Sequence, residues 1–168
     1  MRYHGQDGNN LQSKGAIMIR EQTEIRWLIR RDMKQVRAIE SASYDFPWSE
    51  SEWAANLKVR NTIARVIELD GQVVGYVVYQ LHKDAIEILN LAVKPIERRS
   101  GHGRLMMETL KGTLSQSRRT KIEATLCEAN LSGQLFLQSC GLRAVRVIRE
   151  AWNECDAYLF RSSVKEQQ

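Results

Sequence analysis

The chain has 168 residues, 43% apolar and 27% charged, with a formal net charge of +5. These are ordinary values for a soluble globular protein of one domain with a substantial core. No apolar run approaches the ~20 residues that cross a membrane, and the cations are scattered as Arg30–Arg31, Arg98–Arg99 and Arg118–Arg119 rather than gathered on one nucleic-acid-binding face.

The first stretch, residues 1–21, is polar and glycine-bearing, has no apolar signal-peptide region, and is expected to be a loose leader, with Met18 as an alternative start. "EIRWLIR" places Ile25, Trp27 and Ile29 on one face of a strand. Asp32 and Gln35 form a helix-start signal ahead of Val36, Ile39 and Ala42 at helical spacing. Pro47 closes that region, and Ser49 with Glu52 is a capping box for a second helix. Two β-rich runs flank Asp70–Gly71, a dipeptide suited to a tight hairpin, and Ala85–Val93 continues the meander. A helix from about Gly101 to Leu114 and a strand from Thr120 to Glu128 follow. A short helix then closes at Gly141, and two last strands lie near 143–149 and 155–161. The order β-α-α-β-β-β-α-β-α-β-β predicts an α+β fold. Its mostly antiparallel sheet has about seven strands, flanked by about four helices, in a single domain over 22–162 with a polar tail at 163–168.

Cys127, Cys140 and Cys155 are odd in number and lack a close pair. That spacing predicts small core residues in a reducing cytoplasm, with neither a disulfide nor a metal site.

The informative corner is "RRSGHGRLM", Arg98–Met106, between a buried strand and an amphipathic helix. Unpaired N–H groups at a helix start attract phosphate, and glycine lets an anion approach the backbone. Arg98 and Arg99 add positive charge. The third glycine of a dinucleotide fingerprint is replaced by Met106, and the lysine and hydroxyl of a P-loop are missing.

Arg98-x-x-Gly101-x-Gly103 after "LNLAVKP" resembles motif A of the GNAT superfamily of N-acetyltransferases, and the element order is that family's order. "FPWSE" (Phe46–Glu50), "NLAV" and the Asn130…Gly141-Leu142 pair resemble the ribosomal-protein-alanine N-acetyltransferases in particular. The resemblance implies acetyl-CoA as co-substrate and no metal. It places the pantetheine arm along the backbone of Leu91, Ala92 and Val93, and the pyrophosphate at Arg98, Arg99, Ser100, Gly101, His102, Gly103 and Arg104. Asn130 would bind the cofactor further along, and His102 would contribute only its backbone. The acceptor would be an amine, a protein N-terminus such as that of a ribosomal protein, met beside Trp48 and Trp53; no membrane or nucleic-acid partner is implied.

The subgroup's acid–base positions hold Thr125 and Leu137 here, and neither does that chemistry. Glu123, two residues before Thr125 on one strand face, and Glu87 are the substitute bases, with Tyr158 a candidate acid. The missing pair leaves two alternatives: a weak or inactive acyl-CoA-binding domain, or an enzyme for a small amine or lysine.

Overall fold

The computed structural model describes residues 22–115, 117–152 and 155–163. The predicted leader, Met18 and residues 164–168 of the tail lie outside them. In chain order the elements are β1 (Thr23–Trp27), α1 (Met33–Ser41), α2 (Glu50–Lys58), β2 (Thr62–Leu69), β3 (Gln72–Leu81) and β4 (Ala85–Val93). They continue with α3 (His102–Lys111), β5 (Lys121–Cys127), α4 (Leu131–Ser139), β6 (Arg143–Trp152) and β7 (Cys155–Ser163). One sheet holds all seven strands in the order β1-β2-β3-β4-β5-β7-β6. β4 and β5, joined by the α3 crossover, pair in parallel; every other neighbouring pair is antiparallel.

The predicted turn chemistry is what joins the strands. Asp70 and Gly71 both take positive φ, 48° and 82°, the conformation that a two-residue hairpin between β2 and β3 requires. Ser49 and Glu52 form the reciprocal capping box on α2. Gly141, at φ 90°, stops α4, and the Leu142 N–H donates back to the Leu137 carbonyl at 3.0 Å.

Two cores sit on opposite faces of the sheet. α1 and α2 supply Val36, Ile39 and Trp53, packed on Val66, Tyr76 and Val78. α3 and α4 supply Met106, Met107, Leu110 and Leu137, packed on Ile86, Ile122 and Phe160.

Three local expectations are corrected. β1 ends at Trp27, which is exposed and lies under the Arg65 guanidinium; Ile29 is exposed as well, so Ile25 alone of that face reaches the core. Asp32 does not cap α1: it accepts the Ile29 N–H at 2.9 Å and pairs with Arg26 at 2.8 Å, while Gln35 turns to the Val73 N–H. Most consequentially, Cys127 and Cys155 form a disulfide, leaving Cys140 as a buried free thiol among the described residues. The two are 28 residues apart in sequence, but antiparallel β5 and β7 set Cys127 opposite Ala157, two residues from Cys155 on the same sheet face. Strand pairing, not sequence proximity, makes the bond.

Candidate active site

The glycine corner begins with a tight turn at Pro95–Glu97 and enters α3 through Arg99 and Gly101, both at positive φ (65° and 90°). Gly101 is the N-cap of α3 and supplies no side chain to bond its first N–H groups. α2 and α4 differ: Ser49 caps one, and the Asn130 side-chain Oδ1 caps the other by accepting the Gly133 N–H at 2.9 Å. The start of α3 is thus left with orphan donors at the positive end of its dipole. A Cβ on Gly101 would meet nothing within 4 Å, so the space beside the N-cap is open. Gly103 has another reason to be glycine, because a Cβ there would stand 3.0 Å from the Phe136 ring of α4.

The cations around the corner divide. Arg98 turns away from the α3 start: its Nε donates to the Val93 carbonyl at 3.0 Å and its guanidinium to the Ser43 Oγ at 2.9 Å. It ties the end of β4 to the end of α1. Arg104 reaches the Ser139 carbonyl at 3.4 Å. His102 is buried, with Nε2 3.9 Å from the Glu97 carboxylate. Arg99 and Ser100 are exposed beside the α3 start.

β4 and β5 open beside this corner. Their paired register runs from Ala85↔Lys121 to Ile88↔Ala124 and stops. Beyond it Leu89–Val93 and Thr125–Cys127 border a gap in the sheet. Backbone groups of alternate strand residues point to opposite edges. Those of Ala92 and Lys94 point to β3: the Ala92 carbonyl lies against Gly75, and the Lys94 N–H donates to Val74 at 2.7 Å. Leu91 and Val93 therefore aim their groups into the gap, and Ala92 does not. Both carbonyls there are taken, that of Leu91 by the Tyr44 hydroxyl and that of Val93 by Arg98. What the strand offers a ligand is two N–H donors, from Leu91 and Val93.

Glu87 and Glu123 are direct neighbours across the paired part of β4 and β5, on the α1–α2 face. Each is already engaged, Glu87 with His82 at 2.8 Å, Glu123 with Arg161 at 2.7 Å and with Lys121 at 3.8 Å. Thr125 shares their face at the gap, opposite Leu159 of β7. Leu137 is buried in the α3–α4 core, and Tyr158 packs against that same core. Of the two tryptophans, Trp53 is a core residue at 1% exposure and Trp48 is half-buried against it.

Two residues at the site escaped the sequence reading. Tyr44, in the α1–α2 loop, is held at the gap; burial pushes its phenol up to about 12, so it stays a donor to Leu91. Glu40 is 1% exposed and binds the loop from below. It accepts the Trp48 N–H at 3.0 Å, the Trp53 indole at 2.6 Å and the Asn90 amide at 2.7 Å. The available signal was an acid four residues after Val36, on the buried stripe of α1. No group of three His, Cys, Asp or Glu side chains suited to a metal occurs among the described residues.

An uncapped helix start beside a gap between two parallel strands is a place for a phosphate-bearing, extended ligand. The model of the Acetyltransferase (GNAT) family matches residues 25–142, which run from within β1 through α4 and include both halves of this site. The chain belongs to the GNAT acetyltransferases. It is 24% identical over 125 residues to the [ribosomal protein bS18]-alanine N-acetyltransferase of Escherichia coli (strain K12), covering 74% of this chain and 84% of that one. The crystal structure of the ribosomal-protein-S18-alanine N-acetyltransferase from Escherichia coli superposes with a TM-score of 0.76 at 21% identity, over 88% of this chain and 97% of the other. Arabidopsis thaliana Naa50, solved with the bisubstrate analogue CoA-Ac-MVNAL, gives a TM-score of 0.71 at 14% identity over 84% and 98%. The protein is a GNAT N-acetyltransferase by family, with the mixed α/β architecture of its structural neighbours.

Proposed function

We propose that this GNAT enzyme transfers the acetyl group of acetyl-CoA to a protein N-terminal α-amine, a ribosomal protein being one candidate acceptor. The observation that carries the reading is the convergence of the uncapped α3 start with the Leu91 and Val93 N–H groups in the gap. The first suits the pyrophosphate, with Arg99 beside it, and the second suits the amide-bearing arm. A thioester threaded from that corner reaches the α1–α2 face, where Glu87 and Glu123 stand.

The reaction is direct attack. The neutral amine adds to the thioester carbonyl, the C–S bond breaks, the nitrogen gives up its extra proton through water towards Glu123 or Glu87, and the thiolate leaves and takes a proton from solvent, since Leu137 has none to give. Neutralising the amine at pH 7 costs about 1.4 kcal/mol for an α-amino group and about 4.6 for lysine. Glu123 is already engaged by Arg161 and Lys121 and Glu87 by His82, so each would take the amine proton through an intervening water. An α-amine suits that arrangement better than lysine. Thr125 and Leu137 favour a second reading, a catalytically weak member that binds acetyl-CoA and turns it over slowly. Cytoplasmic residence is part of the proposal. The Cys127–Cys155 bond speaks for a more oxidising setting, and non-reducing mass analysis of the protein as made in the cell decides between them.

The test is thiol release from acetyl-CoA with N-terminal peptides. Glu123→Gln is expected to lower kcat about tenfold or more while leaving acetyl-CoA affinity unchanged; unchanged kcat removes Glu123 from the mechanism.

A further inference from the structure

Among the described residues, the core on the α1–α2 face includes no residue of β5, β6 or β7, and charge on that part of the face is unevenly placed. Residues directly opposite in antiparallel strands share a face. Glu123 lies opposite Arg161, and Arg161 lies opposite Arg143, so one row across the sheet reads Glu87, Glu123, Arg161, Arg143. One step along, Thr125 lies opposite Leu159, and Leu159 opposite Arg146. The acids flank the gap and the cations stand away from it. Arg161 is used by Glu123 at 2.7 Å. Arg143 and Arg146 are exposed, and among the described residues neither has an acidic partner within 4.0 Å.

We propose that Arg143 and Arg146 select acceptors whose α-amine is followed by acidic residues. The inference rests on the N-terminal acetyltransferase reading above and names the acceptor class for that site. Neighbouring strands are about 4.8 Å apart, so Arg143, two strands beyond Glu123, and Arg146, two beyond Thr125, stand roughly 10 Å from the gap. An extended peptide advances about 3.3 Å per residue. With its amine at the gap, carboxylates at its second to fourth positions come over the two guanidiniums. The amine end meets Glu87 and Glu123, so the face carries opposite signs at its two ends, complementary to an acidic N-terminus and opposed to a polyamine or a basic peptide. The two arginines lie on an exposed edge strand, where substitution leaves the fold intact.

The experiment compares kcat/KM for three peptides that share an N-terminal alanine and differ at positions two to four: acidic, neutral and basic. At low salt the acidic peptide is expected to exceed the basic one tenfold or more, with the margin narrowing as salt rises. In the Arg143→Glu/Arg146→Glu double variant the order is expected to reverse, with acetyl-CoA affinity by calorimetry unchanged. Equal kcat/KM for the three peptides, or a preference that survives the double charge reversal, overturns the inference and leaves the amine-transfer reading standing. Acetyl-CoA binding without acetylation of any peptide overturns the acceptor reading itself, and this inference with it.

Discussion

Glu40 carries its carboxyl group into the space between α1, α2 and β4, where its partners among the described residues are three N–H donors. Asn90 extends the set by accepting the Tyr76 hydroxyl at 2.9 Å. A buried carboxylate is tolerated when its oxygens are fully bonded, and removing it leaves every donor unpaired. Glu40→Ala is therefore expected to destabilise the protein by about 3 kcal/mol in urea unfolding. It should also raise the KM for the acceptor more than that for acetyl-CoA, because Trp48 and its loop lose their anchor. Equal effects on both substrates would separate Glu40 from acceptor positioning. Asp32 makes a second buried acid, and here the partner is a cation: the hydrogen bond from Arg26 holds its carboxyl below the usual range. A lowered folded pKa gives stability that is present in full above the ordinary Asp value of ~3.9 and is lost as pH falls through the lowered value. An acid titration of the unfolding free energy is expected to steepen below about pH 4, and Asp32→Asn is expected to flatten that limb.

Among the elements, the α3 start and the β4–β5 gap separate two uses of glycine that the sequence shows as one motif. Gly101 sits at φ 90° with open space around it, so Gly101→Ala adds backbone strain of about 1 kcal/mol without blocking the corner. Gly101→Glu adds bulk and negative charge where the phosphates are expected, and should weaken acetyl-CoA binding tenfold or more relative to Gly101→Ala. Equal acetyl-CoA affinity in the two variants contradicts the phosphate assignment. Gly103→Ala drives a methyl into the Phe136 ring and should act on stability, by about 1–3 kcal/mol in thermal or urea unfolding, more than on affinity. The elements themselves were legible: the Asp70–Gly71 turn, the Ser49–Glu52 box and the Gly141 stop are local signals, and each is satisfied by residues no more than five positions apart. What the sequence hid was decided by contacts across the sheet. Arg98 turns to Ser43, 55 residues earlier, and the Tyr44 hydroxyl reaches Leu91, 47 residues later; neither spacing has a periodic signature. The Cys127–Cys155 bond was missed for the same reason.

The whole molecule places its chemistry where the sheet changes character. One parallel pair, β4–β5, sits inside an otherwise antiparallel sheet, with α3 crossing on one face and the α1–α2 loop on the other. The α3 crossover begins beside the opening it creates, so one feature of topology accounts for both the uncapped helix start and the gap next to it. The family's fold was readable because it rests on motif and order. The acid–base residues were not, because Thr125 and Leu137 depart from the pattern and their substitutes depend on cross-strand neighbours. The most direct test is calorimetric titration of acetyl-CoA, with thiol release followed in the same sample on addition of alanine-starting peptides. The account predicts saturable binding and release that requires the peptide. Binding too weak to detect, or release that no amine accelerates, would contradict it.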